Sequence, residues 1–112
     1  MTEFEAKIVD DPRGMLLRLT GKLEYDAVRD FELAAEQLVE TKPRRAVVDA
    51  AALTALNSAG IGSLIKLNRR LRDGGGELRV AALNANLRRM LALCNFDRVL
   101  KVADTVEEAF AD

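Results

Sequence analysis

The chain has 112 residues, 49% of them apolar and 31% charged, a length at which a single domain spanning 1–112 buries roughly two-thirds of its unfolded surface. Seventeen basic against eighteen acidic residues leave no net field, which argues against a dedicated nucleic-acid binder; Lys66, Arg69, Arg70, Arg72, Arg88 and Arg89 read as solvated helix faces. The absence of histidine and the lone Cys94 exclude Ser-His and Cys-His pairs, an intrachain disulfide, and histidine or thiolate zinc sites.

In chain order, EFEAKIVD alternates Phe4, Ala6 and Ile8 with polar neighbours, the period of a half-buried strand. DDPRG reads as a turn and MLLRLTG as a second strand, so Phe4 to Thr20 is expected to be a hairpin. YDAVRDFELAAEQLVE places Val28, Phe31, Ala35 and Leu38 on one helical stripe, ended by TKP. RAVVDAAAL, β-branched at Val47 and Val48, is expected to be a central strand buried on both faces.

Leu64, Leu67 and Leu71 then line one face of a helix over GSLIKLNRRLRD, stopped by Gly74, Gly75 and Gly76. ELRVAAL is another core strand. Asn84 is expected to cap ANLRRMLALC, with Leu87, Met90, Leu91 and Cys94 turned inward and Cys94 acting as a small buried hydrophobe. VLKV forms a last short strand, and TVEE matches a capping box from Thr105 to Glu108 before a terminal helix. The order β-β-α-β-α-β-α-β-α predicts an α/β fold: a mixed, mainly parallel sheet with an N-terminal hairpin and four flanking helices. No apolar run reaches the ~20 residues of a membrane span, and MTEFEAKIV lacks the pattern of a signal peptide, so a cytoplasmic protein without membrane insertion is expected.

The stretch ALNSAGIGSL, Ala55 to Leu64, carries the chemistry in question. Gly60 and Gly62 stand too close together, and Lys66 out of register, for a phosphate-binding loop; GIGSLI supplies only two glycines of a dinucleotide fingerprint. No nucleophile elbow is present, so no catalytic residue is expected, and no metal or other cofactor is implied. Asn57 or Ser58 is a natural helix cap, worth about 1 kcal/mol, with Gly60 and Gly62 letting the first turn lie against the sheet. The same position puts the Ser58 hydroxyl outside the carboxyl end of a parallel strand, where a phosphate would meet free N–H groups and the positive helix end.

These residues resemble those of the STAS-domain anti-anti-sigma factors (anti-sigma factor antagonists). GKLEYDA is similar to the family's early Gly-x-Leu-Asp segment at the start of the first helix, and VVDAAALTALNSAGIGSL to its central signature. RDGGGELRVAALNANLRRMLALCNFDRVLKVADTVEEAF is similar to its C-terminal half. The resemblance implies a single STAS domain without enzymatic activity, acting by partner switching in transcription regulation. Unphosphorylated, it would bind an anti-sigma factor that is also a serine kinase and so free a sigma factor. Phosphorylation of Ser58 would dissociate the complex, and a PP2C-type phosphatase would restore the binding form. By position, Asn57, Ala59, Gly60 and Gly62 form the acceptor loop, Glu24 and Asp26 fall near an acidic position that contributes to kinase docking, and Asp49 ends the central strand.

The chain departs from the family where Asn57 replaces aspartate and Ala59 replaces serine or threonine. Asn57 keeps one acceptor oxygen but not the charge, which weakens any charge-assisted contact there by about 1–2 kcal/mol. Without a hydroxyl at Ala59, Ser58 is the one modifiable residue of the loop. The alternative implied by the same resemblance is a non-switching STAS scaffold, a subunit of a phospholipid-transport ABC system or of a signalling assembly.

Overall fold

The structure, a computed structural model, describes residues 4–111. Strands β1 (Phe4–Asp11) and β2 (Gly14–Leu23) form the antiparallel hairpin, and α1 (Val28–Glu40) follows a single 3-10 turn at Tyr25–Ala27. Strand β3 (Arg45–Leu56), α2 (Ser58–Asp73), β4 (Glu77–Ala81), α3 (Ala85–Leu93), β5 (Lys101–Ala103) and α4 (Val106–Phe110) complete the order. The sheet runs β1-β2-β3-β4-β5, antiparallel at β1/β2 and parallel elsewhere. The expected α/β architecture is therefore the one observed.

Alternation along the strands sorts side chains into two layers. Leu17, Val48 and Val80 stand side by side in register and join Phe31, Leu38, Leu64, Leu67 and Leu91 in the main core beneath α1, α2 and α3. Their neighbours Leu16 and Val47 face the opposite way, into a smaller cluster closed by Ala109 and Phe110 of α4. None of the described helices is long and apolar enough to cross a membrane.

Several boundaries differ from expectation. Strand β2 runs on through Gly21–Leu23, because Lys22 and Leu23 keep pairing with Ala55 and Leu56 of β3. The GKL segment thus ends a strand and does not begin a helix. Strand β3 likewise continues three residues past Leu53, with Ala51, Ala52 and Thr54 exposed, so its second half is covered on one face only. Asp49 consequently lies inside β3 and does not end it. Its Oδ1 accepts the Ala51 N–H at 3.1 Å and its Oδ2 the Arg18 Nε at 3.3 Å, where the β2/β3 register shifts between Arg18 and Thr20. The carboxylate is a clamp on a β-bulge.

Cys94 is exposed, against the expectation of a buried thiol. Helix α3 ends at Leu93, and Asn95 turns left-handed at φ 61°, so the helical spacing that pointed Cys94 inward stops one residue short of it. Met90 is only half-buried, whereas Leu87 and Leu91 are core. Asn84 caps α3, accepting the Leu87 N–H at 2.8 Å, and Thr105 caps α4, accepting the Glu108 N–H at 3.0 Å. Helix α2 ends at Asp73, and Gly75 takes φ +90° in the turn that follows.

Candidate functional site

The sequence places an extended residue, Asn57, between β3 and α2, and the side chain decides what happens next. Asn57 has φ −118° and ψ −175°, and its Oδ1 accepts the Gly60 N–H at 3.1 Å while its carbonyl accepts the Ile61 N–H at 2.9 Å. Asn57 is thus the cap, and of the two candidates Ser58 is released from that task. Ser58 is the first residue of α2 and is exposed, and among the described residues its hydroxyl makes no hydrogen bond. The other serine of the stretch, Ser63, is buried and donates to the Ala59 carbonyl at 3.1 Å.

Gly60 seats this helix end on the sheet. A Cβ here would overlap the Leu23 carbonyl oxygen and crowd the Leu56 and Leu23 side chains. Gly62 has no such role, contrary to expectation: it is exposed, and nothing lies within 4 Å of where its Cβ would stand. Ala59 is half-buried.

Because Leu23 pairs with Leu56, the carboxyl ends of β2 and β3 emerge side by side. The loop after β2 therefore meets the start of α2, and the Tyr25–Ala27 turn touches that helix. Glu24, half-buried, and Asp26, exposed, are brought to the same end of the sheet as Asn57, Ser58 and Ala59. Between them stands Tyr25, 82% exposed, which sequence reasoning did not single out; an aromatic outside any apolar stripe, between two acids, was the available signal. A cross-link of Lys66 to Glu32 at 3.4 Å ties α2 to α1 along one side.

Asn68 was also missed. It is 7% exposed, its Nδ2 donates to the Val99 carbonyl at 3.3 Å and its Oδ1 accepts the Leu78 N–H at 3.3 Å. Both halves of the buried amide are thereby satisfied, and α2 is pinned to β4 and to the segment before β5. Among the described residues no cluster of acidic or cysteine side chains could hold a metal ion.

A hairpin edge followed by parallel strands, with a capped helix opening at the carboxyl end of the central strand, defines an α/β protein with the architecture of the anti-sigma factor antagonists. The chain belongs to the STAS domain family, whose family model matches residues 3–109. A STAS-domain containing protein of Pseudomonas aeruginosa (strain UCBPP-PA14) is 29% identical over 93 residues, covering 83% of this chain and 91% of its own length. An anti-sigma factor antagonist from Mycobacterium paratuberculosis superposes with a TM-score of 0.85 at 22% identity, over 95% of this chain and 90% of that one. The antagonist SpoIIAA in its unphosphorylated form gives 0.75 at 18% identity, over 94% of this chain and 92% of that one. The Bacillus cell fate determinant SpoIIAA in the phosphorylated form gives 0.67 at 19% identity, over 95% of each chain.

Proposed function

We propose that this protein is an anti-sigma factor antagonist working by partner switching, with Ser58 as its phosphoacceptor. It has no catalytic role of its own, and it works in the cytoplasm. The unmodified form binds an anti-sigma factor that is also a serine kinase, which frees a sigma factor, and a PP2C-type phosphatase reverses the modification. The observation that carries this reading is the division of labour at the start of α2: Asn57 does the capping, and the Ser58 hydroxyl next to it is left exposed.

A phosphate on Ser58 adds close to two negative charges at a helix N-terminus, a position that accommodates anions, so the fold tolerates it. A protein seated over the same small hydroxyl does not. The new group is larger than the space left for an alcohol and carries charge into a contact that was desolvated around a neutral group. Asn57, Ala59 and Gly60 shape the acceptor loop, Gly62 lies one turn further along, and Glu24 and Asp26 offer carboxylates to a basic rim on the partner.

Incubation with the kinase and ATP, followed by intact-mass measurement, is expected to add a single phosphate, absent in Ser58→Ala. A mass unchanged in the wild-type protein, or a phosphate mapped to another residue, contradicts the assignment.

A further inference from the structure

The sheet has two open edges, and they are built differently. Strand β5 ends it with three residues, too short a template to pair with another chain. Strand β1 ends it with eight residues, Phe4–Asp11, free of proline and paired with β2 in unbroken register. Only Pro12 and Arg13 separate Asp11 from Gly14, so that closing pair is hydrogen-bonded, and bonded and open pairs alternate from it. Phe4, Ala6 and Ile8 fall in open pairs, opposite Gly21, Leu19 and Leu17, and turn their N–H and C=O groups to the outer edge. Among the described residues no strand takes those groups up.

The side chains of β1 favour one occupant. Glu5 and Lys7 are exposed on the face away from the main core, while Phe4, Ala6 and Ile8 belong to that core or its margin. Lys7 stands opposite Arg18, a like charge that disfavours a cross-strand pair, with Leu16 and Thr20 on the diagonals. Arg18 turns to Asp49 at 3.3 Å, so the ladder offers Lys7 no facing carboxylate. A second copy supplies one. With the two β1 strands antiparallel and Ala6 opposite Ala6, Glu5 of each copy faces Lys7 of the other, and Phe4 faces Ile8. Each outward-turned residue then meets an outward-turned residue, as a bonded ladder requires. Moving the partner by two residues sets Lys7 against Lys7 in one direction and Glu5 against Glu5 in the other. Moving it by one puts core side chains on the solvent face. A lysine on an edge strand ordinarily deters pairing; in this one register it is matched.

We propose that β1 is a homodimer interface, joining two copies edge to edge about a two-fold axis at Ala6 into one continuous sheet, with the Glu5–Lys7 pairs fixing the register. Such an interface is self-complementary and closes at two chains. Strand β2 separates this edge from β3, at whose carboxyl end Ser58 stands, so the dimer does not depend on the switch.

Sedimentation equilibrium of the full chain over a range of concentrations is expected to show a reversible dimer. Its dissociation constant should fall roughly in the micromolar range, because a strand pair is smaller than a standard interface. Lys7→Glu and Glu5→Lys are each expected to weaken self-association roughly tenfold or more, since the two-fold axis repeats each change. The two variants mixed should associate with one another as wild type does, and the double exchange Glu5→Lys/Lys7→Glu should recover the homodimer. Amide exchange is expected to slow with rising concentration at Ala6 and Ile8, whose N–H groups face out. At dilution, where every form is a monomer, Lys7→Glu should melt no lower than wild type, since a glutamate there suits Arg18. A lower midpoint overturns the role given to Lys7 and the proposal with it. So does a wild-type chain that stays monomeric at every concentration, a dimer indifferent to both charge reversals, or a mixture of the two variants that fails to associate.

Discussion

At the amino ends of the strands, charged side chains are turned on the chain itself. Arg45 Nη1 donates to the Phe110 and Ala111 carbonyls at 3.0 and 3.1 Å, and Arg79 Nη1 to those of Ala109 and Ala111 at 3.2 and 2.6 Å. Glu77 gathers Arg79 at 3.2 Å and Lys101 at 3.4 Å, and the Arg13 guanidinium lies 4.6 Å from the Phe110 ring centroid. This end closes the last carbonyls of α4, groups that a short helix cannot satisfy alone. At the carboxyl ends of β2 and β3 the pattern inverts: one side chain, Asn57, serves the helix, while Ser58, Tyr25 and Asp26 face outward. One end holds the fold together and the other leaves polar groups to a visitor, so substitutions at the two ends are expected to move different observables.

The largest effect belongs to the open end. Ser58→Asp is expected to lower kinase affinity by about a hundredfold or more, about 2.7 kcal/mol, with a thermal midpoint unchanged or slightly raised, since an acid at the start of a helix is favourable. Binding titration alongside a melting curve reads both; a lowered midpoint would mean that the residue holds the fold after all. Close-packed glycines come next. Gly76→Ala drives a Cβ into the Pro43 carbonyl, and Gly60→Ala does the same at Leu23; each is expected to cost about 1–3 kcal/mol in urea unfolding. The contrast between Gly60→Ala and a stabilised Gly62→Ala sharpens the comparison within one helix turn.

Removing a cap is a smaller loss. Asn84→Ala deletes the 2.8 Å bond to the Leu87 N–H and is expected to destabilise the protein by about 1 kcal/mol, without effect on the kinase. The smallest effects are electrostatic. Burial alone would raise the Glu77 carboxyl, but the Arg79 hydrogen bond and the charges of Arg79, Lys101 and Arg45 outweigh it and leave it below its ordinary value. Its folded value being depressed, its contribution is present above the unfolded carboxylate range near 4.5 and is lost as pH falls through the folded value. Urea midpoints followed from about pH 6 to about pH 3 should fall less steeply in Glu77→Gln than in wild type. Asp11 is held down to about 2 by the Arg13 side-chain hydrogen bond and then by the Arg13 N–H. In Arg13→Ala, carboxyl titration by NMR should return it toward 3.8.

The element order was legible because periodicity is a local property: the two-residue alternation of β1 and the helical stripe of α1 are both written in consecutive residues. What escaped depended on distant partners. Ala51–Leu56 belongs to β3 because Lys22 and Leu23 pair with Ala55 and Leu56, and Asp49 clamps a bulge because Arg18, far back in the chain, stands beside it. Asn68 is an ordinary polar residue of a helix until Leu78 and Val99 are brought to it. Cys94 was misjudged through a single helix end, since the left-handed Asn95 breaks the spacing on which its inward placement relied. At the candidate site, the motif positioned Ser58 and Asn57, but only the packing separates Gly60, which the sheet demands, from Gly62, which it does not.

The most direct measurement is calorimetric titration of the purified kinase with this protein prepared in two forms, fully phosphorylated at Ser58 and phosphatase-treated, each with its melting curve. Tight binding by the treated form, none detectable by the phosphorylated form, and coincident melting of the two are expected. Equal affinity of both forms, or loss of binding only where the phosphorylated protein has unfolded, would contradict the switch.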